Sequence, residues 1–392
     1  MQERSSIMES AIRRIAINFG GGFVPGLNAV VTGAMLAAHE LGWEVVGIRD
    51  GYDGLLFPER YPQGGLLPLT PQIVENLASQ TGCILGTAAH SDPFHVRSIS
   101  AENMVEEVDR SDELLAMIKK EQIDAVISVV GARALSILWK LSRKGLKTVC
   151  VPKSAENDVA ATTLSFGFNS TLSFVADMLE RARQAAQSAR RIAVVEVPGE
   201  HAGWLALQAG IAVCADAVLI PEIPYDLQKV AAKLRQKTQA GRSFGLVVVA
   251  DGAKPVAGLN APPMAAESKM KAALSPGATG NEGSYVIQRS GEVATAVALE
   301  LQRLTDRETY PLILGQLAKG GAPTFVDRQL GLGYGAGAVR VLNHGQSGVM
   351  VVFQPPDLKT VPIAEAINKV RTVPAECEFV QISRALNISL GD

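Results

Sequence analysis

Short apolar runs alternate along this chain with longer segments whose apolar residues recur every three or four positions. The runs contain few polar residues, which is typical of strands that are buried on both faces. Nine runs are predicted to form strands: 14–19, 44–48, 124–130, 147–151, 191–197, 217–220, 245–250, 312–315 and 348–353. Nine segments are predicted to form helices: 26–41, 102–120, 133–144, 168–189, 202–213, 225–240, 290–305, 326–341 and 362–371. This alternation predicts an α/β fold with mostly parallel sheets covered by helices.

The same pattern predicts two sheet domains. A chain of 392 residues suggests two domains at about 100–200 residues each. The long helix at 168–189 would connect them, because the chain before it reads as one doubly wound unit and new strands begin at 191. The segment 255–287 is rich in Pro, Ala, Gly and Ser without clear periodicity, which predicts a long loop.

Composition and charge narrow the functional classes. Hydrophobic residues make up 47% of the chain and charged residues 19%, with a formal net charge of −2. No basic or acidic tail is present, so we expect neither a nucleic-acid partner nor an anionic membrane. The N-terminal residues lack an apolar signal core and no apolar run approaches a membrane span, so we expect a cytoplasmic protein.

The cysteines and histidines do not indicate a metal site. The four cysteines are far apart in the sequence, which is typical of reduced, mostly buried thiols. The five histidines form no helical ligand pair, so a zinc site is not expected. From these residue types alone, the identity of any metal ligand stays unknown.

The first candidate motif is "NFGGGFVPGLNAVV" (18–31), which follows the first strand and opens the first helix. Its glycines would let the backbone approach a ligand, and the helix N-terminus would offer N–H groups to an anion. The motif is neither a Walker loop nor G-x-G-x-x-G. A tight strand-to-helix turn without a ligand is the alternative interpretation.

The second candidate motif is "PKSAEND" (152–158), which follows the buried run at 147–151. Phosphoryl transfer needs a base near the acceptor hydroxyl and cations around the moving phosphate. Glu156 or Asp158 could be that base, Lys153 could hold phosphate oxygens, and Ser154 could donate a hydrogen bond. A polar turn that caps the next helix is the alternative.

Both loops belong to an ordered set of stretches that resembles the phosphofructokinase family. The stretches are "GGFVPGLNAV" (21–30), "GIRDGYDGL" (47–55), "LGTA" (85–88), "PKSAENDVAATTLSFGFNS" (152–170), "RIAVVEVPGEHAGWLAL" (191–207), "PEIPYD" (221–226) and "LGQLAKGGAPTFVDR" (314–328). The resemblance covers most of the chain and implies two Rossmann-like α/β domains with the active site between them. It assigns 1–165, plus roughly 325–360, to the phosphate-donor domain and 166–324 to the sugar-phosphate-acceptor domain.

The resemblance also implies roles for individual residues. In the family's catalytic loop, T-I-D-N-D, Glu156 takes the place of the base, Asp158 that of the second aspartate and Ser154 that of the threonine. Lys153 matches a lysine found in pyrophosphate-using members, where ATP-using members generally have glycine. The residues implied to bind the donor phosphates are Gly21, Gly22, Gly131, Arg133 and Lys153. The residues implied on the acceptor side are Arg191, Gly199, Glu222 and Lys319.

Several family positions hold different residues in this chain. The aspartate near the magnesium is Ala132, and the donor-side arginine is Ala89. On the acceptor side, Glu200 replaces a cation, Tyr310 an arginine and Gln316 a histidine. Mg²⁺ is therefore expected from the family, although one of its implied ligands is missing. Each lost charge-assisted hydrogen bond would weaken phosphate binding by about 1.5–3 kcal/mol.

Two hypotheses for function remain open. The first is an active phosphotransferase that moves a phosphoryl group from pyrophosphate, in preference to ATP, to fructose 6-phosphate or a related sugar. The second is a catalytically impaired relative that acts as a regulatory, structural or metabolite-sensing subunit. A dinucleotide-binding oxidoreductase is disfavoured because the first strand is not followed by G-x-G-x-x-G. In either case, the family implies a homodimer or homotetramer.

Overall fold

The computed structural model describes residues 12–88, 91–99, 105–257 and 291–392. The chain divides into two compact units. Unit 1 comprises the described residues of Met1–Ala155 together with Val159–Ser170 and Gly320–Val370. Unit 2 comprises Glu156–Asp158, the described residues of Thr171–Lys319, and Arg371–Asp392. Most of the predicted loop at 255–287 lies outside the described residues.

The described residues form thirteen strands and eleven α-helices. The strands are β1 (Arg14–Gly20), β2 (Glu44–Ile48), β3 (Leu66–Leu69), β4 (Val96–Ile99), β5 (Val105–Val108), β6 (Ala125–Val130), β7 (Thr148–Pro152), β8 (Ile192–Val197), β9 (Ala217–Leu219), β10 (Gly245–Ala250), β11 (Thr309–Ile313), β12 (Val349–Gln354) and β13 (Asp357–Pro362). The helices are α1 (Leu27–Glu40), α2 (Asp53–Leu56), α3 (Pro71–Val74), α4 (Ser111–Lys120), α5 (Leu135–Arg143), α6 (Phe168–Ala189), α7 (Trp204–Ala212), α8 (Leu227–Gln239), α9 (Glu292–Thr305), α10 (Phe325–Asn343) and α11 (Glu378–Ala385).

Unit 1 is built on a seven-stranded sheet with the order β13–β12–β7–β6–β1–β2–β3. The four inner pairings are parallel, and the edge strands β3 and β13 are antiparallel to their neighbours. Alternate residues of β1 face opposite layers, as a strand requires. Ile15 and Ile17 pack in the cluster that contains α1 and α10, while Ala16 packs in the cluster that contains α4 and α5.

Glycines let α1 and α10 pack closely on one face of this sheet. A Cβ built on Gly33 would lie only 2.1 Å from the Leu332 carbonyl oxygen. A Cβ on Gly335 would lie 2.3 Å from the Val30 carbonyl oxygen. A larger residue at either position would therefore force the two helix backbones apart.

Unit 2 contains a four-stranded parallel sheet with the order β11–β8–β10–β9. Strands β9 and β10 are apolar and buried along their whole length. Helices α8 and α9 pack in one cluster with Val194 and Val247. Near the end of the sequence, Ser389 pairs in parallel with Ala217 and so extends the sheet at β9. Buried parallel strands of this kind confirm the predicted α/β fold class.

Two helix predictions were wrong in part. Among the described residues of 102–120, the helix covers only Ser111–Lys120, because Val105–Val108 pairs with Val96–Ile99 as an antiparallel hairpin. Within 362–371, only the short 3₁₀ turn Ile363–Glu365 forms. Beyond that turn, Asn368 has a φ of +55°, which a right-handed helix does not allow.

The parallel strands place the candidate motifs at their carboxyl ends. The glycine loop follows β1, Gly131 follows β6, and Lys153 follows β7. In unit 2, Gly199 follows β8 by two residues. None of the described helices is long and apolar enough to cross a membrane.

Candidate active site

The glycine loop after β1 lies against the lysine that follows β7. Lys153 is buried, and its ammonium donates hydrogen bonds to the carbonyl oxygens of Gly22 and, at 3.3 Å, of Gly21. Gly21 has a φ of +80°, which favours glycine, and its N–H donates to the Ala88 carbonyl at 3.2 Å. A Cβ on Gly21 or Gly22 would meet nothing within 4 Å, so a ligand could approach this backbone closely.

The other predicted donor residues lie at neighbouring strand ends of unit 1. A Cβ built on Gly131 would lie 3.5 Å from the Lys153 carbonyl oxygen, so these two strand ends are adjacent. Arg133 is exposed in the 3₁₀ turn Ala132–Ala134. Ser154 is buried directly after Lys153. One edge of the sheet thus carries these residues, although their role in binding a donor stays a prediction.

The acids of the "PKSAEND" loop belong to unit 2. A carboxylate oxygen of Glu156 lies 3.3 Å from the ammonium of Lys319, and these side chains are 19% and 24% exposed. The two residues are 163 positions apart in the sequence, so only the tertiary structure brings them together. Between the two acids, Asn157 is buried and has a φ of +56°, a left-handed conformation that asparagine tolerates better than most residues.

Burial and a neighbouring cation shift the pKa of the Glu156 carboxyl group in opposite directions. Burial raises the pKa of Glu156, and the nearby charges of Asp158 and Glu200 raise it as well, whereas the Lys319 ammonium lowers it. A carboxylate with a raised pKa is a stronger base, and a paired ammonium favours its ionised form. The arrangement can therefore accept a proton from a hydroxyl group.

Asp251 is a candidate site residue that the sequence interpretation missed. It directly follows β10, and its carboxylate accepts a hydrogen bond from the Gly199 N–H at 2.9 Å. Burial, together with the charges of Glu156, Glu196 and Glu200, raises the pKa of Asp251 to about 7. Perturbed carboxyl groups of this kind cluster at functional sites. An acid immediately after a buried parallel strand was the signal in the sequence.

Two of the predicted acceptor residues already have partners within unit 2. The Arg191 guanidinium lies 2.8 Å from the Glu308 carboxylate. Glu222 accepts hydrogen bonds from the backbone N–H groups of Gly203, at 3.0 Å, and Val373, at 2.7 Å. Glu222 thus holds two backbone segments together, and its proposed contact with a sugar phosphate stays a prediction.

The positions that depart from the family pattern have local contacts of their own. The Tyr310 hydroxyl donates to the Ala182 carbonyl at 3.3 Å. Glu200 is 60% exposed and lies 3.9 Å from His201. Gln316 is part of the 3₁₀ turn that ends at Lys319. Ala89 lies outside the described residues.

Among the described residues, the side chains do not form a magnesium site by themselves. Within the part of the chain that the structure describes, no group of three or more His, Cys, Asp or Glu side chains could hold a metal ion. Ala132, at the family's metal-site position, carries no ligand atom in its side chain. Protein-bound Mg²⁺ usually combines one or two carboxylates with substrate phosphates.

Comparison with protein families identifies one match over most of the chain. The model of the phosphofructokinase family matches residues 14–342. Among curated proteins, an ATP-dependent 6-phosphofructokinase of Chloroflexus aurantiacus is 36% identical over 388 residues, which are 98% of this chain and 99% of that protein. A pyrophosphate–fructose 6-phosphate 1-phosphotransferase of Amycolatopsis methanolica is 33% identical over 366 residues, which are 93% of this chain and 97% of that protein.

Solved structures agree with the fold of both units. A pyrophosphate-dependent phosphofructokinase from Marinobacter aquaeolei matches with a TM-score of 0.72 at 17% identity. The match covers 96% of this chain and 92% of that one. A second such enzyme, from Nitrosospira multiformis, matches with the same TM-score at 19% identity, over 95% and 91% of the two chains. At these sequence identities, the structural similarity indicates a shared fold only.

Proposed function

Because this chain belongs to the phosphofructokinase family, we propose that it moves a phosphoryl group from pyrophosphate to fructose 6-phosphate or a related sugar. The observation that carries this proposal is the ion pair between Glu156 and Lys319. A partly buried carboxylate with an adjacent ammonium has the properties of a general base. Relatives named for ATP and for pyrophosphate are both similar to this chain, so these similarities do not identify the phosphoryl donor. The choice of pyrophosphate rests on Lys153 instead.

In the proposed reaction, Glu156 accepts the proton of the acceptor hydroxyl as its oxygen attacks the terminal phosphorus of pyrophosphate. The new phosphorus–oxygen bond forms while the bridging bond of pyrophosphate breaks, and inorganic phosphate leaves. Such transfers depend mostly on positioning and on cations around the moving group.

Lys153 supports pyrophosphate as the donor. Its buried ammonium lies at the glycine loop, where it places a positive charge beside a backbone that a ligand can approach closely. A compact diphosphate needs charge neutralisation but no pocket for a base or ribose. We propose that unit 1 binds this donor and that unit 2 binds the acceptor. We also propose that the protein is a cytoplasmic homodimer or homotetramer.

A phosphoryl-transfer assay on the purified protein tests this function. Pyrophosphate or ATP would be supplied with magnesium and a panel of phosphorylated and free sugars. We expect turnover with pyrophosphate, and a loss of about 10²–10⁴-fold in kcat for Glu156→Gln, because general bases contribute that much. Glu300→Gln, which changes a half-buried helical glutamate paired with Arg303, is the matched control and should keep full activity.

Three substitutions favour a second candidate function, a catalytically impaired subunit that binds a metabolite. Ala132 removes a metal-site carboxylate, and Glu200 and Tyr310 stand where the family has cations. The same assay distinguishes the two candidates. No turnover with any donor and sugar, together with calorimetric binding of a sugar phosphate, would favour this second function.

A further inference from the structure

A segment close to the end of the sequence holds the loop that carries Glu156. The N–H of Arg371 donates to the Asp158 carbonyl oxygen at 2.9 Å. The guanidinium of the same residue donates to the Asn157 carbonyl oxygen at 3.3 Å. Arg371 lies 214 positions after Asn157, yet it binds two consecutive carbonyl groups next to the proposed base.

Arg371 is itself held from two sides by the start of α7. Its guanidinium carbon lies 4.1 Å from the centre of the Trp204 ring, and the Trp204 indole N–H donates to the Arg371 carbonyl at 2.7 Å. Two residues later, the Val373 N–H donates to Glu222, which also accepts from Gly203. These contacts give Arg371 one defined position, since a guanidinium stacked on an aromatic ring retains little freedom.

The loop needs such support because of its backbone conformation. Asn157 has a φ of +56°, and residues in this left-handed region persist where surrounding contacts hold them. Asn157 is adjacent to both Glu156 and Asp158. A rotation of its backbone would therefore move both carboxylates.

We propose that Arg371 is a positioning residue for catalysis: it fixes the backbone of Asn157 and Asp158 and thereby orients the carboxylate of Glu156. This inference rests on the proposed function, in which Glu156 is the base. Arg371 acts through the loop, and no contact with substrate is part of its role. The Trp204 ring and Glu222 take part because they hold Arg371 and the segment that follows it.

The test compares Arg371→Met with Arg371→Lys and with the control Arg384→Met. Arg384 belongs to the same C-terminal segment, is exposed, and pairs with Asp392. For Arg371→Met we expect kcat to fall about 10–100-fold with KM changed less than about 3-fold, because a displacement of the base acts on the chemical step. Arg371→Lys keeps the charge over the ring and should recover most of this loss, and Arg384→Met should match the unchanged protein.

Hydrogen exchange gives a readout that does not depend on turnover. In Arg371→Met, amide exchange in a peptide covering 155–159 should become at least about 10-fold faster, while a peptide covering β8 exchanges as before. Trp204→Phe keeps the aromatic ring but removes the indole donor, so it should give a smaller change of the same kind. This variant also tests the inference should Arg371→Met not fold.

Three outcomes would overturn the inference. The first is unchanged kcat and unchanged loop exchange in Arg371→Met. The second is an equal loss in Arg384→Met, which would indicate general destabilisation of the C-terminal segment. The third, should Arg371→Met not fold, is unchanged kcat and loop exchange in Trp204→Phe. A different result separates this inference from the proposed function. If the unchanged protein transfers no phosphoryl group but Arg371→Met still shows faster loop exchange, Arg371 holds the loop and the proposed function is wrong.

Discussion

The two candidate regions of this protein use the same architectural position with opposite electrostatics. In unit 1, the carboxyl ends of β1 and β7 bring a buried lysine to carbonyl oxygens of a glycine loop. In unit 2, burial and the charge of Glu156 raise the pKa of Asp251. Burial also raises the pKa of Glu156, and the Lys319 ammonium opposes that rise. Parallel strands therefore determine where these loops lie, while the side chains determine which charge is stabilised there.

The largest expected effect comes from Asp251→Asn. The pKa of Asp251 is raised to about 7, so the folded protein retains a proton that the unfolded chain releases at lower pH. The free energy of unfolding should therefore fall as pH rises from about 4 to 7, and the substitution should remove this loss. We expect Asp251→Asn to be more stable at pH 8 by about 2–4 kcal/mol, with no gain at pH 4, measured by urea denaturation.

A second buried aspartate of unit 2 is the matched control for that prediction. Asp216 is bonded to Lys237 at 2.6 Å and to the Leu246 N–H at 2.8 Å, so its charge is compensated. Asp216→Asn should lower stability at pH 8, the opposite sign. A loss of stability in Asp251→Asn at pH 8 would contradict the prediction that the ionised Asp251 carboxylate destabilises the folded protein.

The next effect concerns the buried lysine at the glycine loop of unit 1. Lys153→Met keeps the aliphatic volume but removes the ammonium beside Gly21 and Gly22. We expect KM for pyrophosphate to rise about 10–30-fold, since a charge-assisted contact is worth about 1.5–3 kcal/mol. Steady-state kinetics would measure it, with the exposed Lys140→Met as control. An unchanged KM would remove Lys153 from the donor site.

The smallest expected effect concerns the ion pair between Glu156 and Lys319. Lys319→Met removes the cation that opposes the raised pKa of Glu156, so this pKa should rise further. The acidic limb of the kcat/KM profile should then move to higher pH. Lys319→Arg retains a cation and should leave the limb near its original position. A shift to lower pH would exclude Glu156 as the titrating base.

Strand and helix periodicity explains which elements could be predicted. Central strands such as β1 and β10 are mostly apolar runs between helices, and each was predicted within a residue or so. The hairpin strand at Val105–Val108 reads "VEEV", whose apolar residues are three apart and also fit a helix. The edge strand at Leu66–Leu69 contains a proline and is short, so it carries no clear strand signal.

The sequence by itself determined the alternating layers, the fold class and the loops that follow the parallel strands, because hydrophobic periodicity is local along the chain. It also contained the family motifs on which the candidate donor residues rest. Only the tertiary structure placed Lys319 beside Glu156, Asp251 near the same acids, and Arg371 on the loop carbonyls. Charges and hydrogen bonds act through space, so partners separated by many residues become visible only when the chain is folded.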